Sequence, residues 1–179
     1  MNENRSHFSI INSLSLRGLE GIICIIQALL LFRVPVLFRD NRLSENGGAF
    51  MLTLGYDGDY IGYRVEEDHA VVMLYDSNGN FRLEEDLILD CARAMRRAWQ
   101  KVYAPELYSP QNAPRNVEEF LTGDSWADAD AFAFVFMCRL FPEKVDVQNK
   151  AYDVVFRDGG KRRDRMDAIE NWFDRNVYG

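Results

Sequence analysis

Histidine and cysteine are scarce in this chain of 179 residues. It contains two histidines and three cysteines, and Cys24, Cys91 and Cys138 show none of the paired spacings of zinc or redox sites. Dispersed thiols in odd number are typical of a reducing compartment, so we predict a cytoplasmic protein. Cys91 and Cys138 have apolar sequence neighbours, which favours core packing over catalysis. We predict neither a cofactor nor a bound metal.

The shortage of histidine also limits acid–base chemistry. His69 is the only histidine after Met51, and it follows the acidic residues Glu66, Glu67 and Asp68. No second histidine follows Met51 to complete a metal pair, and the nearby serines lack the setting of an activated nucleophile. We therefore interpret His69 as an exposed turn residue and predict no catalytic residues.

No apolar run is long enough to cross a bilayer. The longest, Gly21 to Phe32, has twelve residues and contains Gln27, whereas a spanning helix needs about 20. We rank a packed helix or a non-native extension first, an interfacial anchor second and a signal peptide third. We expect no membrane association.

Residues 1–50 lack tryptophan, tyrosine and lysine, and their formal charge is +1 against −8 for residues 51–179. Reverse translation of Gly47-Gly48, just before Met51, permits a purine-rich bacterial ribosome-binding site. We therefore predict two parts, an N-terminal extension at 1–50 upstream of a natural start at Met51, and an acidic domain at 51–179. A genuine N-terminal arm with a buried helix is the alternative.

Short β-type segments follow Met51 and are separated by turn residues such as Asp57-Gly58-Asp59. A second turn, Asp76 to Asn80, begins like a calcium loop but lacks its later glycine and glutamate, which favours a plain hairpin turn. Successive turns predict an antiparallel meander of three or four strands. The predicted strands are Met51–Tyr56, Tyr60–Val65, Ala70–Tyr75 and Phe81–Leu83, with another at Ala151–Phe156.

Helical periodicity dominates the second half of the chain. Glu84–Tyr103 carries an apolar stripe of Ile88, Cys91, Ala92, Met95, Trp99 and Val102. Trp126–Phe141 alternates like a strand at its phenylalanines, but its length favours a buried helix, with Asp124 and Ser125 as capping residues. A short helix at 116–122 and a closing helix at Lys161–Val177 complete an α+β fold in which three or four helices pack against the meander.

Two clusters could bind ions. Asp124 and Asp128 share a helix face and, with Asp130, could form a carboxylate site, although two carboxylates at a helix start also suit the helix dipole. Lys161, Arg162 and Arg163 form the only basic cluster of the acidic domain and open a helix, where an anion could bind. A solvated helix start is the plainer interpretation of that cluster.

Acidic residues are concentrated in the turns and at the first helix start. If they share one surface, they would present negative charge beside tyrosines to a basic partner. Residues of this predicted partner-binding surface are Asp57, Asp59, Tyr60, Glu66, Glu67, Asp68, Glu84, Glu85 and Asp86, interleaved with Tyr56, Tyr63 and Tyr75.

The sequence therefore predicts a non-enzymatic protein-interaction module. Its size and charge are typical of a bacterial or phage mobile-element inhibitor of a nucleic-acid-handling protein, of the antirestriction or anti-CRISPR type. We expect a protein partner, in particular a basic nucleic-acid-binding protein, and no direct binding of nucleic acid. The alternatives are a small metal-dependent hydrolase or nuclease that uses carboxylates, and a structural accessory subunit.

Overall fold

The computed structural model describes residues 3–43, 52–53, 60–76, 78–109, 123–142 and 160–177. Four helices and five short strands lie in these ranges, which confirms the α+β class. The helices are α1 (Glu3–Leu30), α2 (Glu84–Tyr103), α3 (Asp124–Leu140) and α4 (Gly160–Val177). The strands are β1 (Val36–Arg39), β2 (Leu52–Thr53), β3 (Tyr60–Ile61), β4 (Tyr63–Val65) and β5 (Ala70–Met73).

The main sheet has three strands in the order β1-β5-β4. β4 pairs with β5 in antiparallel fashion, whereas β1 pairs with β5 in parallel, with Val36 opposite Ala70. The prediction of a purely antiparallel meander is therefore wrong. The sheet is mixed because its parallel edge comes from residues 36–39, which the sequence analysis assigned to the N-terminal extension.

The N-terminal segment is packed into the core. α1 buries Leu19, Ile22, Ile26 and Leu30 on one face, at the spacing of an amphipathic helix. Gln27, which interrupts the apolar run, is half-buried and donates from Nε2 to Val34 O at 3.1 Å. The apolar run is thus part of a packed helix, as in the first-ranked interpretation. A translation start at Met51 stays a prediction about the coding DNA.

α2 lies at the centre of the fold. It packs against β4 and β5 on one side and against α1 and α3 on others, so most of its positions from Leu87 to Ala98 are buried. The predicted helix is confirmed, and its stripe is buried as far as Met95. Val102, predicted to face inward, is 56% exposed because the last turn extends beyond these neighbours.

α3 confirms the choice of helix over strand for the phenylalanine-rich segment. It is buried on all sides from Ser125 to Met137, so alternating phenylalanines are accommodated on a helix. α3 packs against α4, which confirms the predicted closing helix and buries Ile169 and Phe173. The capping prediction is wrong: Gly123 is the N-cap, and the Ser125 hydroxyl instead donates to Gln100 Oε1 at 2.8 Å.

The predicted hairpin turns are described in part. β2 pairs with β3 in antiparallel fashion, as predicted for the strands that flank 57–59, but that turn itself lies outside the described residues. The turn at 76–80 is confirmed: Tyr75 pairs with Phe81, Gly79 has φ +80°, and the Asp76 carboxylate accepts from Asn80 N at 2.8 Å. The predicted short helix at 116–122 and strand at 151–156 also lie outside the described residues.

Gly62 interrupts the predicted strand Tyr60–Val65. A Cβ at this position would collide with Nη1 of Arg82, and the Gly62 amide donates to Asp90 Oδ2 at 2.7 Å. The backbone therefore approaches a buried arginine–aspartate pair more closely than any side chain permits. Among the described helices, none has both the length and the apolar character required to cross a membrane.

Candidate functional site

The predicted acidic surface is divided between the two ends of α2. Glu84, Glu85 and Asp86 form its first turn, whereas Lys101 near its other end donates to the carbonyl oxygens of Glu66 and Glu67. At about 1.5 Å of rise per residue, Glu85 and Lys101 are separated by about 24 Å along the helix axis. The structure therefore does not gather the two acidic groups into one patch.

The acidic turn between β4 and β5 has a well-defined shape. Glu66 N donates to His69 O at 2.8 Å, and Lys101 Nζ lies 3.1 and 3.2 Å from the carbonyl oxygens of Glu66 and Glu67. The hydrogen bond with His69 holds the pKa of Asp68 below its ordinary value. The side chains of Glu67 and Asp68 are exposed, so this turn carries two surface carboxylates on a fixed backbone.

The tyrosines expected on that surface are placed differently. Tyr63 and Tyr75 are buried in the core, which corrects their assignment to an exposed surface. The inward position of Tyr63 follows from the sheet, because Tyr63 shares one face of β4 with Val65, whereas Arg64 between them lies on the other face. Tyr60 lies in β3, but its side chain, like Tyr56, Asp57 and Asp59, falls outside the described part of the chain.

The predicted histidine, basic cluster and core cysteine lie in three different parts of the fold. His69 is half-buried rather than exposed, with Nδ1 2.7 Å from Asp68 Oδ1. Lys161, Arg162 and Arg163 lie in the first turn of α4, although their side chains are outside the described part. Burial raises the pKa of the Cys91 thiol, as expected for an inert core cysteine.

The three aspartates of α3 do not share one site. Asp124 is exposed in the first turn, whereas Asp128 and Asp130 are buried and bind different arginines. Asp130 Oδ1 accepts from Arg93 Nε at 2.8 Å and from Nη2 at 2.6 Å. Within the described ranges, no three His, Cys, Asp or Glu side chains lie close enough together to hold a metal ion.

Asp130 belongs to a buried network that joins α3, α2 and the sheet. Arg93 also donates from Nη1 to Asp90 Oδ1 at 3.0 Å, and Asp90 Oδ2 accepts from Arg82 Nη2 at 2.7 Å. Arg82 Nη1 in turn donates to Met73 O at 3.1 Å. These side chains are at most 5% exposed, so this inner network is sealed from solvent and is structural in character.

A third arginine of α2, Arg97, is buried beside aromatic rings. Its guanidinium carbon lies 3.5 Å from the centroid of Trp126, and Nη2 donates to Ser109 O at 2.6 Å. Desolvation lowers the pKa of Arg97. Burial raises the pKa of the neighbouring Tyr63 to about 12, although the positive charge of Arg97 opposes that shift. Tyr63 is therefore neutral at neutral pH.

A concave site lies beside the network. Helices α1, α2, α3 and α4 together enclose a cleft of about 480 Å³, within the usual range for ligand sites. Its walls are mainly aliphatic and aromatic, and its charged residues come from three different helices. The lining residues include Leu31 just after α1, Arg96 and Trp99 from α2, Asp128 from α3, and Arg165 and Trp172 from α4.

Two arginines face one aspartate in this cleft. Arg96 binds Asp128 through Nε at 2.8 Å and Nη2 at 3.2 Å, and its guanidinium carbon lies 4.2 Å from the centroid of Trp99. Gln100 Nε2 donates to Asp128 Oδ2 at 2.7 Å. Arg165 is 43% exposed, with Nη1 3.9 Å from Asp128 Oδ1, which is too long for a hydrogen bond.

The rim of the cleft is apolar and exposed. Leu31 is 89% exposed and has φ +48°, a left-handed conformation that a leucine rarely adopts. It occupies the position of the glycine that usually ends a helix, because Phe32 N donates to Gln27 O at 3.2 Å in a Schellman arrangement. Beside it, the rings of Phe32 and Tyr103 meet edge to face with centroids 5.7 Å apart, and Tyr103 is 58% exposed.

Sequence reasoning missed this cleft. A partial signal exists on α2, where Asp90, Arg93, Arg97 and Gln100 repeat at helical spacing and mark a polar stripe within the core. Arg96 and Trp99 lie beside that stripe. The walls from α1 and α4 come from opposite ends of the chain, and no local pattern indicates that they meet.

Comparison with known proteins adds no relative. No protein-family model matches the chain, no curated protein is similar to it, and no solved structure matches it.

Proposed function

We propose that the protein is a non-enzymatic interaction module that binds a partner protein at the cleft between its four helices. The observation that carries this proposal is the set of side chains gathered there: two tryptophans and two arginines around a cavity of about 480 Å³. Tryptophan, tyrosine and arginine are the residues that most often dominate the binding energy of protein interfaces.

The rim supports a protein rather than a fully enclosed ligand. Leu31 and Tyr103 are largely exposed, and Tyr103 continues into the cleft through Trp99, whose ring centroid lies 5.7 Å away. Exposed apolar groups that adjoin a concave aromatic site are typical of surfaces that a partner covers. The unfavourable backbone of Leu31 adds support, because such conformations are concentrated at binding sites.

The hydrogen bonds made by the buried carboxylates favour a binding function over catalysis. Asp128, the acidic residue of the cleft, accepts hydrogen bonds from Arg96 and Gln100, and Asp130 accepts from Arg93. Carboxylate oxygens that already accept hydrogen bonds in this way are less accessible to a proton of a substrate. The groups that face an incoming partner are therefore the arginines and the aromatic rings.

Quantitative affinity capture tests the proposal with matched pairs of variants. The chain is immobilised as wild type, as Leu31→Asp and as Arg165→Glu, with Leu83→Asp and Arg175→Glu as controls. Leu83 and Arg175 are exposed residues of the same types that do not line the cleft. We expect a partner from a lysate of the source organism to be retained by the wild type and both controls, and reduced about tenfold or more by both cleft variants. Equal retention by all five proteins contradicts the proposal.

The acidic turn supports a second candidate, the binding of a basic nucleic-acid-handling protein as an antirestriction or anti-CRISPR inhibitor does. Its support is the fixed backbone at Glu66 and Glu67, because a preordered charged turn loses little entropy on binding. Glu67→Lys and Asp68→Lys, added to the same capture, test this candidate. A basic protein lost with these two variants but kept by Leu31→Asp would be assigned to the turn.

A cytoplasmic location belongs to the proposal as well. The three cysteines are all unbridged thiols, which suits a reducing compartment. A fusion of the full chain to a fluorescent protein, followed by fractionation of the source cells, tests it, and recovery outside the cytoplasm would contradict it.

A further inference from the structure

The cleft has a charge and a shape that define the group it would bind. We infer that it recognises an apolar, preferably aromatic, group that carries a single carboxylate, and that Arg165 provides the anion contact. The inference rests on the proposed function, because it specifies the anchor that a partner would insert into the same site.

Arg165 is available to an anion at little cost. Asp128 accepts two hydrogen bonds from Arg96 and one from Gln100, so its charge is already balanced and its oxygens are occupied. The remaining contact, from Arg165 at 3.9 Å, is no hydrogen bond. Arg165 can therefore turn its planar fork towards an incoming carboxylate and gain charge-assisted hydrogen bonds without losing one to a described residue.

The formal charges favour a monoanion. Arg96 and Arg165 face Asp128 in the cleft, which leaves one positive charge among its described lining residues. One carboxylate balances that excess, whereas a dianion would place its second charge near Asp128 without compensation. A cation would meet two guanidinium groups and is disfavoured for the same reason.

The walls favour a flat apolar body next to the carboxylate. Trp99, Phe132 and Trp172 contribute ring faces or edges, and Leu29 and Ile169 add aliphatic surface. The position of Arg96 over Trp99 orders that ring, so part of the wall is fixed before a ligand arrives. An aromatic acid fits this combination, as does a protein segment with an aromatic residue beside an acidic one.

Isothermal titration calorimetry of the full chain tests the inference with 2-naphthoate, its neutral analogue 2-naphthalenemethanol, and acetate. We expect naphthoate to bind with a dissociation constant of about 10 µM to 1 mM, the alcohol about tenfold more weakly, and acetate not measurably. Arg165→Met, which keeps an apolar stem, should weaken the binding of naphthoate about tenfold or more and leave the affinity for the alcohol unchanged. Arg175→Met, an exposed arginine of the same helix, should behave as wild type.

Equal binding of the acid and the alcohol, or no effect of Arg165→Met, would overturn the inference while leaving the cleft as a binding site. The absence of naphthoate binding at millimolar concentration would overturn it too.

A second arm separates the two sources of the carboxylate. A capped tetrapeptide with Phe beside Glu is titrated against the same peptide with Gln. Binding of the Glu peptide that depends on Arg165 supports the inference together with a protein partner. Binding of naphthoate without binding of the peptide supports the inference for a free aromatic acid and contradicts the protein partner of the proposed function.

Discussion

Two neighbouring arginine–aspartate pairs, which share helix α3, have opposite characters. In the inner network, Arg93 and Asp130 are almost fully buried and their hydrogen bonds measure 2.6 and 2.8 Å. In the cleft, Arg165 is 43% exposed and lies 3.9 Å from Asp128. The residue types are the same, but only the inner pair is desolvated and joined by short hydrogen bonds. Burial and geometry, rather than composition, therefore separate a structural ion pair from a group available to a ligand.

The largest expected effect on stability comes from removing residues 1–50. This deletion removes the α1 wall of the cleft but none of the residues of the inner network, which all follow position 61. The deletion exposes the core around β5 and loses six buried aliphatic side chains: Leu19, Ile22, Ile23, Ile26, Leu30 and Val34. Their burial contributes up to about 10 kcal/mol, comparable to the whole stability of a typical domain. We expect residues 51–179 to aggregate or to melt without a cooperative transition in thermal unfolding.

Deletion of residues 1–16 is the control, because it keeps that buried face, and it should leave a cooperative transition. Equal melting temperatures for residues 51–179 and for the full chain would show that α1 and β1 add no stability. The α1 wall of the cleft would then not be firmly packed against the rest of the protein.

Asp90→Ala breaks the inner network directly. It removes the acceptor of Arg82 Nη2, Arg93 Nη1 and the Gly62 amide, and it leaves buried guanidinium charge without this carboxylate. We expect the free energy of unfolding in urea to fall by about 4 kcal/mol. Arg165→Met, the corresponding change in the cleft, should alter it by less than about 0.5 kcal/mol. Similar losses for the two variants would contradict the distinction between the sites.

Tyr63 should make the stability of the protein depend on pH in the alkaline range. Burial raises its pKa in the folded protein to about 12 from an ordinary value of 10.0. Between these values the unfolded chain releases the phenolic proton and the folded chain retains it, so rising pH favours unfolding. We expect Tyr63 to account for about 2 kcal/mol of stability lost between pH 10 and 12. Urea titrations of wild type and Tyr63→Phe should differ by that amount over this pH range, whereas equal slopes would place Tyr63 in contact with water.

The sequence predicted the elements better than their assembly. Helices α2, α3 and α4 were predictable because each has a long apolar pattern and few helix-breaking residues. The parallel pairing of β1 with β5 was not, because it joins segments more than 30 positions apart and Val36–Arg39 alone is too short to indicate a strand. Asp128 and Asp130 were noticed as carboxylates, but their arginine partners lie over 30 positions away on α2. Such pairings depend on tertiary packing, which local periodicity does not contain.

The last expected change in stability lies at the rim of the cleft. Here the substitution should stabilise the protein, whereas the changes in the inner network destabilise it. Leu31→Gly relieves the left-handed conformation at the end of α1, so we expect the free energy of unfolding to rise by about 0.5–1 kcal/mol. The same change removes an apolar side chain from the rim, so naphthoate and partner binding should weaken. Leu83→Gly, at an exposed leucine with negative φ, is the control and should leave binding unchanged. A gain in stability without a loss of binding would mean that the strained conformation of Leu31 has no role in binding. Both effects together would show that the protein gives up stability at this helix end for a larger contact area.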